Sequence, residues 1–321
     1  MRRLTCTATD GEAGTRLDDL IGHWLPAAVG HSLSKSAVRR LIMAGAVCVD
    51  ARVARRPGLR LTRGMRLDVQ VDVERLRPQA AARSGPLAPV IHVLYRDEWL
   101  VSVAKPAGLQ THAAADTRLD DLVSATRRLL NVPYLGVHHR LDRDTSGVVL
   151  FSLDPAANAG LAAAFADRAV DKVYHALTTP GARVPGRPWR VEGLLALSGS
   201  GLRARMTRVA AGGKRAETSF VVRQRLPRAC VVEARPLTGR KHQIRAHLAE
   251  CGLPILGDRR YGGPTAVGGA RVVRAMLHAV RLTLPHPVSG RSLRIECPYP
   301  EDFASLLRQL GGRLDTTKPS R

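Results

Sequence analysis

One stretch of this chain brings a carboxylate, two cations and a tight turn together: His139-Arg140-Leu141-Asp142-Arg143-Asp144-Thr145-Ser146-Gly147, which runs into the apolar segment Val148-Val149-Leu150-Phe151. Asp142 lies between Arg140 and Arg143 at a polar turn entering a buried strand. A carboxylate placed there can be held rigidly enough for nucleophilic or acid–base work. The plain alternative is a surface ion pair ahead of a strand, and most such pairs contribute little. Three further segments carry suitable side chains. Lys105-Pro106-Ala107-Gly108 reads as a tight turn after a strand. Lys172-Val173-Tyr174-His175-Ala176 begins a strand, where an isolated tyrosine is ordinarily half-buried packing. Gly239-Arg240-Lys241-His242-Gln243-Ile244-Arg245-Ala246-His247-Leu248 is a glycine turn leading into a helix with donors at its start, an arrangement that favours an anion; taken alone it also suits a solvated basic helix.

The elements that must position these groups need a large core, and 321 residues suffice for two domains. Lysine and arginine number 50 against 27 acids, a net charge of +23, which points to a polyanionic partner. Only six of the basic residues are lysine, so arginine-favouring codons contribute, but codon bias does not explain the excess over acids. At 4% aromatic residues, wide base-stacking platforms of the single-strand-binding kind are not expected. Cys6, Cys48, Cys230, Cys251 and Cys297 are scattered without metal-ligand spacing, so reduced thiols and no metal site are expected. No apolar run approaches the roughly 18 residues of a membrane span. The basic start lacks an apolar signal core, and no dinucleotide or phosphate-loop fingerprint is present. The expectation is a cytoplasmic protein with no membrane partner and no cofactor.

Periodicity predicts a helix from Arg16, with Leu17, Leu20, Ile21 and Trp24 on one face, broken by Pro26 and Gly30. A second helix follows Ser34, with Val38, Leu41 and Ile42 as its apolar stripe and Lys35, Arg39 and Arg40 exposed; Gly45 ends it. Short strands are expected at 46–49, 52–53 and 65–71. The pattern divides the chain into a flexible leader (1–14), a small α+β module (15–73), a Pro/Arg/Ala-rich linker (74–88), a β-rich large domain (89–309) with strands at 90–95 and 99–104 and helices near 116–130 and 155–168, and a flexible tail (310–321).

The stretch around Asp142 resembles the HRLDxxTSG signature of the RluA-type RNA pseudouridine synthases, whose catalytic aspartate falls at Asp142. The other three segments resemble, in the same order, that family's KPxG turn, K-x-Y-x-A segment and GRTHQLRxH motif. Pro254 to Gly262, Leu277-His278-Ala279, His286-Pro287 and Pro298-Tyr299-Pro300 also sit in family order, so the resemblance covers about residues 15–304. Two positions depart from it: Lys241 stands where threonine is commoner, and His175 where an apolar residue is usual. Residues 15–73 are similar to the small RNA-binding domain first described in a ribosomal small-subunit protein.

The resemblance implies an α+β fold with a mixed, largely antiparallel central sheet and flanking helices, plus a small N-terminal α+β RNA-binding module. It implies Asp142 as the catalytic carboxylate, Tyr174 stacked on the target base and Arg245 paired with Asp142. RNA contacts are expected from Lys35, Arg39 and Arg40 on the module's helix, and from Arg140, Arg143, Lys241 and Gln243. The implied reaction breaks the uridine N1–C1′ bond, turns the uracil and rejoins it through C5, with no atom gained or lost. Asp142 would attack C1′, take a C2′ proton or, less favoured, attack the base. The implied partner is RNA: large-subunit ribosomal RNA first, transfer RNA second, with the protein a monomer. Against this stand a non-catalytic RNA-binding or ribosome-assembly factor on the same scaffold, and a nucleoside or glycoside hydrolase using Asp142 with water.

Overall fold

The computed structural model describes residues 2–30, 33, 35–71, 90–112, 121–181, 186–200 and 204–313, with backbone alone at 2, 35–37 and 40. The chain divides into two compact units, Met1–Ala88 and Pro89–Arg321.

The first unit is a four-stranded antiparallel sheet packed on two helices: β1 (Arg2–Thr7), α1 (Leu17–Val29), α2 (Lys35–Met43), β2 (Val47–Val49), β3 (Arg52–Val53) and β4 (Arg66–Val71), in sheet order β1-β4-β2-β3. Leu17, Leu20, Ile21 and Leu25 of α1, Val38 and Ile42 of α2, and Val47, Leu67 and Val69 form its core. The expected leader is a structural strand. Leu4 and Cys6 alternate onto the core, while Arg3 and Thr5 both donate to Asp68, at 3.1 and 2.7 Å. Helix α1 also runs through Pro26 and stops at Gly30, whose φ of +78° forms its left-handed cap. One missing amide donor near the end of a helix is outweighed by the buried face before it. The expected linker, 74–88, lies outside the described residues.

The second unit is built on an eleven-stranded sheet. Its members are β5 (His92–Arg96), β6 (Leu100–Lys105), β7 (Gly136–Val137), β8 (Ser146–Ser152), β9 (Asp171–Thr178), β10 (Trp189–Ser198), β11 (Arg205–Val209), β12 (Lys214–Leu226), β13 (Ala229–Pro236), β16 (Leu277–Pro285) and β17 (Ser292–Glu296). A hairpin of β14 (Ala266–Val267) and β15 (Ala270–Arg271) stands apart. The order β11-β10-β12-β13-β9-β16-β8-β6-β5, with β17 also on β16 and β7 on β8, contains one parallel pairing, β8 with β16. Helices α3 (Leu122–Leu130), α4 (Ala157–Ala166), α5 (Gln243–Glu250) and α6 (Glu301–Gln309) complete the unit.

Helix α3 starts later than periodicity suggests. Asp121 is extended and its carboxylate caps the Ser124 amide at 2.7 Å, so the helix begins at Leu122; residues 113–120 lie outside the described residues. The chain past α6 is also anchored to residue 313: Leu310 is buried in the core and the Arg313 amide donates to Gln224 Oε1, so the expected tail is not loose there.

Two apolar cores meet in this unit. One joins α5 and α6 to β9, β12 and β13 through Ala176, Val231, Val232, Ile244, Leu248, Phe303 and Leu306. The other joins α3 and α4 to β6, β8 and β16 through Val101, Leu122, Val149, Phe151, Leu161 and Leu282. The two are stitched at β8–β16–β9. There Gly147 lies opposite Ala279 with φ +127°, and a Cβ on it would stand 2.5 Å from the Ala279 nitrogen and closer still to its carbonyl oxygen. Among the described residues, no helix is long and apolar enough to cross a membrane. Gly147→Ala is predicted to destabilise the chain by at least about 2 kcal/mol, from overpacking plus a disfavoured backbone, read as a lower denaturant midpoint at unchanged slope.

Candidate active site

Asp142 rides on the loop between β7 and β8, and that loop is gripped through its backbone. The buried Lys105 ammonium donates to three carbonyls, those of Pro106 (2.9 Å), Leu109 (2.6 Å) and Arg143 (3.0 Å). Burial pushes its pKa down to about 7, and three carbonyl acceptors favour the charged form in return. Gly108 exchanges two further bonds with Arg143: its amide donates to the Arg143 carbonyl at 2.8 Å, and Arg143 Nε donates to its carbonyl at 2.9 Å. Arg274, paired with Asp302 at the start of α6, donates to the Asp144 carbonyl at 3.2 Å. Thr111 brackets Leu141 from both sides, and His139 Nε2 accepts the Leu150 amide at 2.9 Å.

Arg245, on the first turn of α5, reaches the carboxylate from the other core. Its Nη1 lies 3.2 Å from Asp142 Oδ2, while Nε and Nη2 form a two-point contact with buried Asp258 at 2.6 and 2.8 Å. The guanidinium stands 5.1 Å from the Tyr261 ring centroid. Burial opposes the charge of Arg245; the hydrogen bonds and charge of Asp258, then those of Asp142, outweigh it and raise its pKa. His242, just before α5, has Nε2 at 3.8 Å from Asp142 Oδ2 and Nδ1 at 3.2 Å from the Tyr261 hydroxyl.

Asp142, His242 and Arg245 line a pocket of about 180 Å³. Cavities of about 150 Å³ hold benzene, so the space suits one six-membered ring. Among the described residues that line it, Asp142 is the one carboxylate, against the cations Arg140, Lys172, Arg240, Lys241 and Arg245, a balance suited to a ring carried on a phosphate chain. Tyr174 and Lys172 alternate into the pocket from β9. Tyr174 lies between Ala234 and Ala279 in register, so small neighbours flank its ring, and it packs partly on both cores. Burial, then the charge of Asp142, raises its phenol pKa, so the ring stays neutral. His175, the next residue along β9, points to the opposite face, where it bonds the Tyr299 hydroxyl and faces buried Glu233 at 3.6 Å. Among the described residues no cluster of three His, Cys, Asp or Glu side chains forms a metal-ligand set.

The fold thus brings Asp142, Tyr174, Arg245, Arg140 and Lys241 to one pocket. Arg143 is exposed beside it, with its Nε engaged by Gly108. Gln243 was expected among the RNA contacts, and here the expectation fails. Gln243 is buried. Its amide donates to the Glu217 carbonyl and Thr218 hydroxyl, both at 2.9 Å, and accepts from Thr238 and the Arg240 amide. It pins the glycine turn to β12 and has no capacity left for RNA. In the first unit Arg39 is half-exposed, but its Nε donates to buried Asp18 at 2.7 Å, beside Arg16 at 2.9 Å. The hydrogen bonds from Arg16, against burial and with those from Arg39, hold the Asp18 carboxyl at about 2. The side chains of Lys35 and Arg40 lie outside the described residues. Asp258, Lys105, Lys172, Arg274 and Tyr261 are parts of the site to which residue types alone assign no role; the order of motifs along the chain is a signal for all of them but Arg274.

A family model described as RNA pseudouridylate synthase matches residues 100–250, and one described as S4 domain matches residues 15–67. A Zymomonas mobilis protein called ribosomal large subunit pseudouridine synthase D is 32% identical over 320 residues, 95% of this chain and 96% of its own length. The Xanthomonas campestris protein of the same name is 34% identical over 316 residues, 94% of this chain and 90% of its own. The solved structure of human RNA pseudouridylate synthase domain containing 4 matches with a TM-score of 0.56 at 27% identity, over 68% of this chain and 92% of its own. Sheet, pocket and relatives agree on an RNA-modifying isomerase. The chain belongs to the RNA pseudouridine synthases, which convert uridine in RNA to pseudouridine, and carries an N-terminal S4 domain.

Asp258→Asn leaves Arg245 one acceptor and sets an amide against its remaining N–H. We predict a loss of about 3 kcal/mol in stability and at least a tenfold slower single-turnover rate. Four histidines with lowered pKa values set a pH dependence. Burial, the largest cause at each, lowers His139 and His278 to about 3 and His242 and His247 to about 4. Unfolded, each titrates near 6.5, so the unfolded chain binds more protons below that pH. Their stabilisation is complete above about pH 6.5 and is lost as pH falls toward 3–4, at about 1 kcal/mol per histidine per unit. Thermal midpoints should drop between pH 7 and pH 5, and His247→Leu should make that slope shallower.

Proposed function

We propose that this chain isomerises one or a few uridines of large-subunit ribosomal RNA in the cytoplasm, with Asp142 as the reacting carboxylate. The observation that carries the reading is the fixed ion triad: Asp142 is held at 3.2 Å by an arginine that Asp258 immobilises, at the wall of a pocket sized for one pyrimidine ring. The ribosomal target follows from the names of relatives that share nearly the whole length of the chain.

The chemistry needs one ionised carboxylate and the exclusion of water. Asp142 either bonds to C1′ as the N1–C1′ bond breaks or removes the C2′ proton as the base leaves. The freed uracil turns in the pocket and C5 joins C1′ as the Asp142–C1′ bond breaks, or as Asp142 returns the proton to C2′; the C5 proton is then lost and N1 gains one. Tyr174 stacks on the ring, kept neutral by its burial, and small neighbours leave the ring room to rotate. Arg140, Lys172, Arg240 and Lys241 pair with phosphates around the extruded nucleotide, whose unstacking costs roughly a few kcal/mol. The first unit adds phosphate contacts from α2, which contribute affinity more than sequence choice.

Asp142→Asn is expected to abolish pseudouridine while leaving RNA affinity within a few-fold. The check is pseudouridine mapping across total RNA from a deletion strain complemented with wild-type or Asp142→Asn protein. Loss of one or a few large-subunit marks, restored by wild-type protein alone, is the expected result. A mark lost only from transfer RNA would move the target, and release of free uracil from a purified transcript would point to hydrolysis instead.

A further inference from the structure

His242 has no part in the reaction as laid out above, yet its placement is unusual on three counts. Its φ is +52°, a left-handed conformation that disfavours any side chain and that glycine adopts freely. Its two ring nitrogens face two different site residues: Nδ1 is 3.2 Å from the Tyr261 hydroxyl and Nε2 is 3.8 Å from Asp142 Oδ2. And its neighbours favour one tautomer. The Tyr261 oxygen accepts the Met206 amide at 2.9 Å, and among the described residues the phenol proton has one acceptor in reach, His242 Nδ1. An acceptor at Nδ1 puts the ring proton on Nε2. Electrostatics agrees, since a bare Nε2 lone pair facing a carboxylate would be repelled.

We propose that His242 is a positioning residue for the reaction, a neutral imidazole whose Nε2–H is aimed at Asp142 Oδ2 by Tyr261. At 3.8 Å this is not yet a hydrogen bond, and it closes to one when the target base fills the pocket, as catalytic contacts commonly do. The consequence is an assignment of oxygens. Arg245 and His242 both address Oδ2, so Oδ1 faces the reacting sugar. Neutrality matters, because an imidazolium would hand its proton to the carboxylate. Burial, with Arg245, Lys241 and Arg260 nearby, outweighs the pull of Asp142 and lowers the His242 pKa to about 4.

The inference rests on the reading of Asp142 as the reacting group, and the experiment separates the two. Nitrogen–proton long-range NMR of the full chain at pH 7, with His242 assigned by its loss in His242→Gln, should show the Nε2–H tautomer. Tyr261→Phe, which keeps the ring under Arg245, should turn it into a mixture. In single-turnover assays on an unmodified transcript, His242→Leu should slow the chemical step about tenfold to a hundredfold with KM within about twofold, whereas His242→Gln, which keeps a neutral donor, should recover most of that loss. His242→Gly relieves the backbone and removes the donor, so it should melt no lower than wild type yet react as slowly as His242→Leu. An Nδ1–H tautomer, or Leu and Gly variants that react at the wild-type rate, would overturn the proposal. A lower melting point in His242→Gly at full rate would mark the residue as structural only. Asp142→Asn, run alongside, should be inactive; if it turns over, the reading of Asp142 fails, while the NMR result still reports on His242 by itself.

Discussion

The structure of the site depends on Arg245 being shared between two carboxylates. Two of its three nitrogens are committed to Asp258 at 2.6 and 2.8 Å, which fixes the plane of the guanidinium and leaves Nη1 for Asp142. A cation held this way cannot turn to follow Asp142; Asp142 must come to it. The triad carries one positive and two negative charges in a poorly hydrated place, and a buried imbalance of that kind is costly unless charge is supplied nearby. Arg140, Lys172, Arg240 and Lys241 supply it at the pocket rim. The rim cations therefore belong to the electrostatics of the carboxylate as well as to the attraction of RNA.

Bringing Asp142 to Arg245 is the work of the sheet. Asp142 follows Leu141, which is buried in one core, and Arg245 sits on a helix buried in the other. The strands β8, β16 and β9 join those cores at a seam where Gly147 and Ala279 touch through their backbones. Two buried cations, Lys105 and Arg274, hold the carbonyls of Arg143 and Asp144, so the loop is set from below by β6 and from the side by the segment before β16 and, through Asp302, by α6. Held through its main chain, the loop leaves its acidic side chain available for chemistry. The seam also explains the opposite fates of adjacent residues on β9: Tyr174 faces the pocket, and His175 faces a polar row with Glu233 and Tyr299 behind it.

Much of the fold was legible along the chain because it is written in period. The alternation of Met65 to Val71, the apolar faces of α1 and α2, and the strand after Gly147 all appear where expected. The strand Arg2–Thr7 is not legible although Leu4, Cys6 and Ala8 alternate: six residues with a basic start carry too weak a pattern to be told from a loose terminus until β4 offers a partner. Pro26 predicts a break by its missing amide, and the buried face of α1 overrides that local rule. Gln243 stands near a helix start in a motif whose resemblance implies an RNA contact, and the chain alone does not show what satisfies its amide. Its neighbours Thr238, Glu217 and Thr218 come from a turn and a strand that only folding brings to it.

The sequence by itself determined which residues have the chemistry. One carboxylate in a rigid turn, an arginine after a glycine turn and a tyrosine entering a strand, in that order, are properties of types and spacing, and they survive without coordinates. The tertiary structure alone decided which of these groups touch. Asp142 and Arg245 lie 103 residues apart, and neither predicts Asp258, which makes the arginine rigid, or Tyr261, which sets the proton of His242. The physical reason is that side-chain chemistry is local to a residue, whereas charge compensation, tautomer and burial belong to the neighbours, and in a sheet of mixed strand order neighbours are set by the register of distant strands.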